Sequence, residues 1–85
     1  MNRKKRIYSI LSKNFPNWLI EIKDISILHK GHNNFNGLGE THFSIILNVN
    51  KEKIVSKLEV HRKINQLLNQ EFSSGLHALE IKIIN

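Results

Sequence analysis

The chain has 85 residues, 40% of them hydrophobic and 24% charged, with a formal net charge of +6. That length suits one domain, 1–85, and that balance argues against native disorder; no apolar run approaches the ~20 residues of a membrane span. There is no cysteine, so disulfides and a self-contained thiolate metal site are excluded. The basic balance favours anionic partners, nucleic acid first among them. No apolar signal-peptide core follows Arg6, so export is not expected and the cytoplasm is the expected location.

Arg3 to Asn14 is predicted to be a helix. Ile7, Ile10 and Leu11 follow the i, i+3, i+4 pattern, and Pro16 stops the segment. Its first turns hold Arg3, Lys4, Lys5 and Arg6, cations that oppose the helix dipole. Fraying of that end, or an anionic partner, accounts for them, with fraying the preferred reading.

Trp18 to Ile27 is predicted to be a strand. Ile20 and Ile22 alternate with polar neighbours, and Ile25 and Ile27 continue in the opposite phase. A bulge or a strand end near Asp24 would produce that slip. Leu28 to Glu40 is a loop rich in glycine and asparagine, carrying His29 and His32. It is long for a connection between neighbouring strands, and long loops are often functional.

Thr41 to Val49 is the clearest strand, with Phe43, Ile45, Leu47 and Val49 on one face. The alternation puts His42 on the opposite, solvated face. Asn50 to Lys53 is a polar connection. Ile54 to Phe72 is predicted to be helical, with an apolar stripe of Val60, Ile64, Leu67, Leu68 and Phe72. Ile54 and Leu58 fit the stripe less well, which suggests a short extra helical turn before the main helix. Gly75 suits a left-handed helix terminus. Leu76 to Ile84 is a third strand, with Leu79, Ile81 and Ile83 facing one way. The expected fold is α+β: order α-β-β-α-β, a three-stranded mixed sheet, and helices on one face.

The residues carry little catalytic chemistry. No serine or cysteine sits in a nucleophile motif, no carboxylate pair stands out, and no phosphate-binding glycine loop is present. An enzyme is therefore not expected. The histidines are His29, His32, His42, His61 and His77. His29-x-x-His32 reads as a metal-ligand spacing or as part of a solvated polar loop. His61 is mid-helix beside Arg62 and Lys63, and reads as packing or surface. His77 opens the last strand after a tight turn, and reads equally as a rim residue of the core or as a ligand.

Several ordered blocks resemble the BolA family from about Arg6 to Ile84. They are Asp24-Ile25-Ser26, Leu28-His29-Lys30-Gly31-His32, Gly39-Glu40-Thr41-His42-Phe43, Val60-His61-Arg62 and Gly75-Leu76-His77-Ala78-Leu79. The family commonly has Glu at the position of Ile25 and Arg at the position of Val60, so the basic helix block is incomplete here. The resemblance implies a class II KH-like fold, a monothiol glutaredoxin partner and a shared [2Fe–2S] cluster. It implies that His29 from the loop and His77 from the last strand serve as ligands, with His32 in reserve.

Such a cluster needs four ligands, usually thiolates. A cysteine-free chain can offer only imidazoles, so a glutaredoxin cysteine and glutathione would supply the remainder, and the isolated chain is expected to be a monomer without cofactor. The expected function is a non-enzymatic adaptor in iron–sulfur trafficking or in iron and redox regulation. The alternative is a DNA-binding transcriptional regulator, with Lys53, Lys57, Arg62 and Lys63 as contacts. The Gly-x-x-Gly loop of standard KH recognition is missing from the helical region.

Overall fold

A computed structural model describes residues 2–26, 39–49 and 55–84. Helix α1 spans Arg3–Asn14 and is capped by Asn2, whose side-chain oxygen accepts the Lys5 N–H at 2.9 Å. Its buried face carries Arg3, Ile7 and Leu11, spaced by four. Phe15 leaves the helical region ahead of Pro16, as a residue preceding proline tends to.

Strand β1 is Leu19–Asp24 and strand β2 is His42–Asn48. Helix α2 is Lys57–Leu67, helix α3 is Asn69–Ser73, and strand β3 is Ala78–Ile84. β1 pairs antiparallel with β2, and β2 pairs parallel with β3, so β2 is central. The register aligns Ile22 with Ile45 and Ile81, and Ile20 with Leu47 and Ile83. These rows form the apolar face of the sheet. Ile7 and Leu11 of α1 and Val60 and Ile64 of α2 share one core with them. The mixed sheet and the element order match the expected fold class.

Several local expectations are corrected. β1 does not run from Trp18 to Ile27 but from Leu19 to Asp24, and of the two explanations of the phase slip near Asp24 the strand end is the one observed. There the carboxylate folds back to accept the Ser26 N–H at 2.9 Å and the Ser26 hydroxyl at 2.6 Å, an Asx turn that breaks the strand. β2 and β3 are likewise shorter than Thr41–Val49 and Leu76–Ile84. The single helix expected over Ile54 to Phe72 is two, broken at Leu68. A short extra helical turn follows the main helix, and residues 50–54, where one was expected ahead of it, lie outside the described residues. Ser56 caps α2 by accepting the Glu59 N–H at 3.3 Å, within a Ser-x-x-Glu pattern. Leu58 is exposed, in keeping with its poor fit to the stripe.

At the basic start of α1, Arg3 and Arg6 are paired within the fold, while Lys4 and Lys5 are exposed. Arg3 is 6% exposed and Arg3 and Arg6 both bind Glu71, which is 7% exposed. The anionic partner of this helix end is a carboxylate of its own chain. His42 is also corrected: alternation puts it opposite Phe43, yet it is only 4% exposed. Ile27, His29, His32, Asn50, Lys53 and Ile54 lie outside the described residues.

Candidate functional site

One end of the sheet collects the polar chemistry of the described residues. β1 finishes there at Asp24, and β2 and β3, being parallel, both start there. Asp24 and Ser26 organise the approach to β2. Asp24 Oδ2 accepts the Glu40 N–H at 2.9 Å, and Ser26 Oγ accepts the N–H groups of Thr41 and His42 at 3.0 and 3.1 Å. A side chain at Gly39 would meet Asp24 Oδ2 at 3.0 Å, and its φ of +108° lies where L-residues are strained. Burial pushes the Asp24 carboxyl up, but hydrogen bonds from Ser26 and Glu40 and the nearby His42 outweigh it, holding it below the ordinary range.

Facing this turn is the α3–β3 turn. α3 ends in a Schellman arrangement: the Leu76 N–H donates to the Glu71 carbonyl at 2.9 Å, and Gly75 sits at φ +127°. The chain then returns to β2. The His77 N–H donates to the Thr41 carbonyl at 2.7 Å, and the Ala78 N–H donates to the same oxygen at 3.2 Å. His77 is exposed, and its ring lies 5.2 Å from the buried ring of His42, tilted by 47°. His42 Nδ1 is 2.9 Å from Thr41 Oγ1. The pairing register explains this meeting, since His42 and Ala78 are partners across the parallel ladder.

His77 thus stands at the rim of the sheet, accessible, on a backbone locked to β2. His29 and His32, the expected loop ligands, lie outside the described residues. Sequence reasoning missed His42 as the imidazole beside His77. Strand alternation alone assigns it to solvent, and only the parallel register brings it to its neighbour. Among the described residues no group of three or more His, Cys, Asp or Glu could hold a metal ion.

A different surface carries the expected nucleic-acid contacts. Lys57, Arg62 and Lys63 are exposed on α2, while Lys53 is outside the described residues. At about 100° per residue, the three described cations point in different directions around the helix and form no single stripe. Lys63 Nζ sits 5.3 Å from the centroid of Phe15, which stacks on Trp18 at 4.7 Å. These residues border an open groove of about 450 Å³ between the end of α1 and the start of α2. No helix among the described residues is long and apolar enough to cross a membrane.

Comparison with known proteins agrees with this architecture. The sequence model of the BolA-like protein family matches residues 11–85. The chain is 37% identical over 84 residues to SufE-like protein 1, chloroplastic/mitochondrial, of Arabidopsis thaliana, covering 94% of this chain and 23% of that protein. It is 36% identical over 89 residues to Protein BOLA1, chloroplastic, of the same plant, covering 94% of this chain and 51% of that protein. The chain thus spans about a quarter of the first relative and about half of the second. It is 30% identical to the DNA-binding transcriptional regulator BolA of Haemophilus influenzae, covering 98% of this chain and 77% of that protein. The solved BolA domain of SufE1 from Arabidopsis thaliana superposes with a TM-score of 0.80 at 36% identity, covering 99% of this chain and 92% of that one. With its fold, its ordered sequence blocks and these matches in agreement, the chain belongs to the BolA-like family.

Proposed function

We propose that this protein is a non-enzymatic adaptor that binds a monothiol glutaredoxin and lends imidazole ligands to a [2Fe–2S] cluster shared with it, in iron–sulfur trafficking or iron and redox regulation. The observation that carries the reading is His77: an exposed imidazole on a rim backbone anchored to the Thr41 carbonyl, in a chain without a thiolate. The donor chemistry fits a shared site and not a private one. Two imidazoles on one iron resemble Rieske-type ligation, and the other iron then needs thiolates from outside, from a glutaredoxin cysteine and glutathione. His77 is one ligand and His29 the other, with His32 in reserve. Such thiols persist in a reducing compartment, for which the cytoplasm is the simplest setting. Ligation needs neutral imidazole, so acidification weakens it.

The test is a titration of the full chain into a glutaredoxin carrying a reconstituted cluster, followed by visible circular dichroism. The wild type changes the spectrum and His77→Ala does not. A flat wild-type titration, or a His77→Ala titration matching wild type, refutes the reading.

A second reading is DNA binding. It is favoured by the name of the Haemophilus relative and by the net charge of +6, with the exposed Lys57, Arg62 and Lys63 as candidate contacts. Phosphate contacts release counterions, so a gel-shift affinity must fall steeply with salt. Absence of a shift at physiological salt removes this reading.

A further inference from the structure

Arg3 is the one lysine or arginine among the described residues that is buried, and its hydrogen bonds reach well beyond its charge partner. Nε donates to Glu71 Oε1 at 3.0 Å, which accounts for the charge. The rest of the fork goes elsewhere. Nη1 donates to the Glu40 carbonyl. Nη2 donates to the Ser74 carbonyl at 2.8 Å and to the Ser74 hydroxyl at 3.1 Å. The Arg3 backbone N–H donates to Glu40 Oε1 at 3.0 Å.

Glu40 lies two residues before His42, and Ser74 three before His77. One guanidinium therefore bridges the two turns from which the facing imidazoles start. A simple stabilising ion pair would need Glu71 alone. We propose that Arg3 is a positioning residue for the His77 site, fixing the separation of the two turns and with it the placement of His77 against His42. This rests on reading His77 as a cluster ligand.

The chemistry of the fork is what the position requires. The guanidinium is planar, and its N–H groups point along separate fixed directions. It can serve two turns and a carboxylate at once. A lysine ammonium is a point charge that can keep Glu71 company without spanning both carbonyls. The turn itself is shaped to admit the fork: a Cβ at Gly75 would lie 3.3 Å from Arg3 Nη2. Arg6 binds the same carboxylate from the outer side and holds Glu71 in place for Arg3.

The test uses the full chain as wild type, Arg3→Lys, and Ile64→Val as a mildly destabilised control whose change lies in the core. Imidazole carbon–proton correlation spectra of the isolated chain read the placement of His77 and His42 without any cluster. The glutaredoxin titration reads its consequence. In Arg3→Lys the His77 and His42 ring signals move beyond their linewidths, and half-saturation of the dichroism change weakens about ten-fold, the low end of what losing a group that orients a metal ligand costs. Ile64→Val leaves both as in wild type.

Wild-type ring signals and a wild-type titration in Arg3→Lys overturn the inference, as does an equal loss in Ile64→Val. If the wild-type chain itself gives no dichroism change, the ligand reading fails, and the ring signals alone decide the role of Arg3. Should Arg3→Lys not fold, Ser74→Ala removes only the hydroxyl acceptor and must move the same ring signals by a smaller amount; unmoved signals there refute the inference.

Discussion

Replacing Glu71 with alanine tests the ion-pair network that closes the site end of the fold. In the native protein its carboxylate accepts Arg3 Nε at 3.0 Å and Arg6 Nε at 2.9 Å. The side chains of Arg3 and Glu71 are 8% and 9% exposed, whereas that of Arg6 is 39% exposed. Loss of the carboxylate leaves Arg6 able to turn to water, but Arg3 keeps its charge buried with only neutral oxygens on its guanidinium. Removing one partner of a buried pair costs about 3–5 kcal/mol. A domain of this length has about 4–13 kcal/mol of stability in total. At about 4–8 °C per kcal/mol, the midpoint falls by at least about 12 °C.

Urea titration followed by Trp18 fluorescence and far-ultraviolet circular dichroism measures the difference. The pH dependence adds an independent check. The hydrogen bond from Arg6 holds the Glu71 carboxyl below its ordinary value; burial opposes this, and the bond from Arg3 reinforces it. A carboxyl with a depressed native pKa binds protons more readily when unfolded. Its stabilisation is therefore full above the unfolded value of about 4.3 and is lost as pH falls through the native value. The gap between wild type and Glu71→Ala is widest at neutral pH and closes in acid. A loss below about 1 kcal/mol at pH 7, the size of an exposed pair, or a gap that does not change with pH, would refute the argument.

Other expectations follow from the same geometry. Phe43→Ala opens a cavity in the centre of the core, where Phe43 is 1% exposed, and should cost about 3–5 kcal/mol in urea denaturation. Asp24→Asn loses the charge that gathers Ser26 and Glu40, and should cost about 1 kcal/mol at pH 7, with the difference shrinking in acid for the same sign reason as Glu71. Gly75→Ala forces an L-residue to φ +127° and crowds Arg3, and should cost about 1–3 kcal/mol by thermal melting. That cost should be smaller in an Arg3→Lys background, where the crowded fork is gone.

Much of the fold is legible in the residues themselves. The i, i+4 spacing of Ile7 and Leu11, the Ser56-x-x-Glu59 cap and the period-two run Phe43, Ile45, Leu47 each specify an element through short-range backbone geometry. So does the phase slip after Ile22, which marks the end of β1. Gly75 marks the turn before β3 because its φ is closed to other residues at little cost. His77 also stands out, since a histidine directly after a helix-ending turn lands at a strand rim.

What local pattern could not reach was contact between distant segments. Arg3 and Glu71 are separated by 68 positions, and no spacing rule connects them; the cations at the start of α1 therefore read as an oddity of the helix dipole. His42 reads as solvated because strand alternation knows only its own strand. It is buried, and beside His77, because β3 returns parallel to β2 and places Ala78 opposite His42. Backbone periodicity and side-chain chemistry are enough to place α1, the three strands and the main part of α2, the apolar face and the imidazole at the rim, though not the strand ends or the break at Leu68. The tertiary structure alone decided which charges are paired and which two imidazoles meet, because both depend on how separate turns are brought to one end of the sheet.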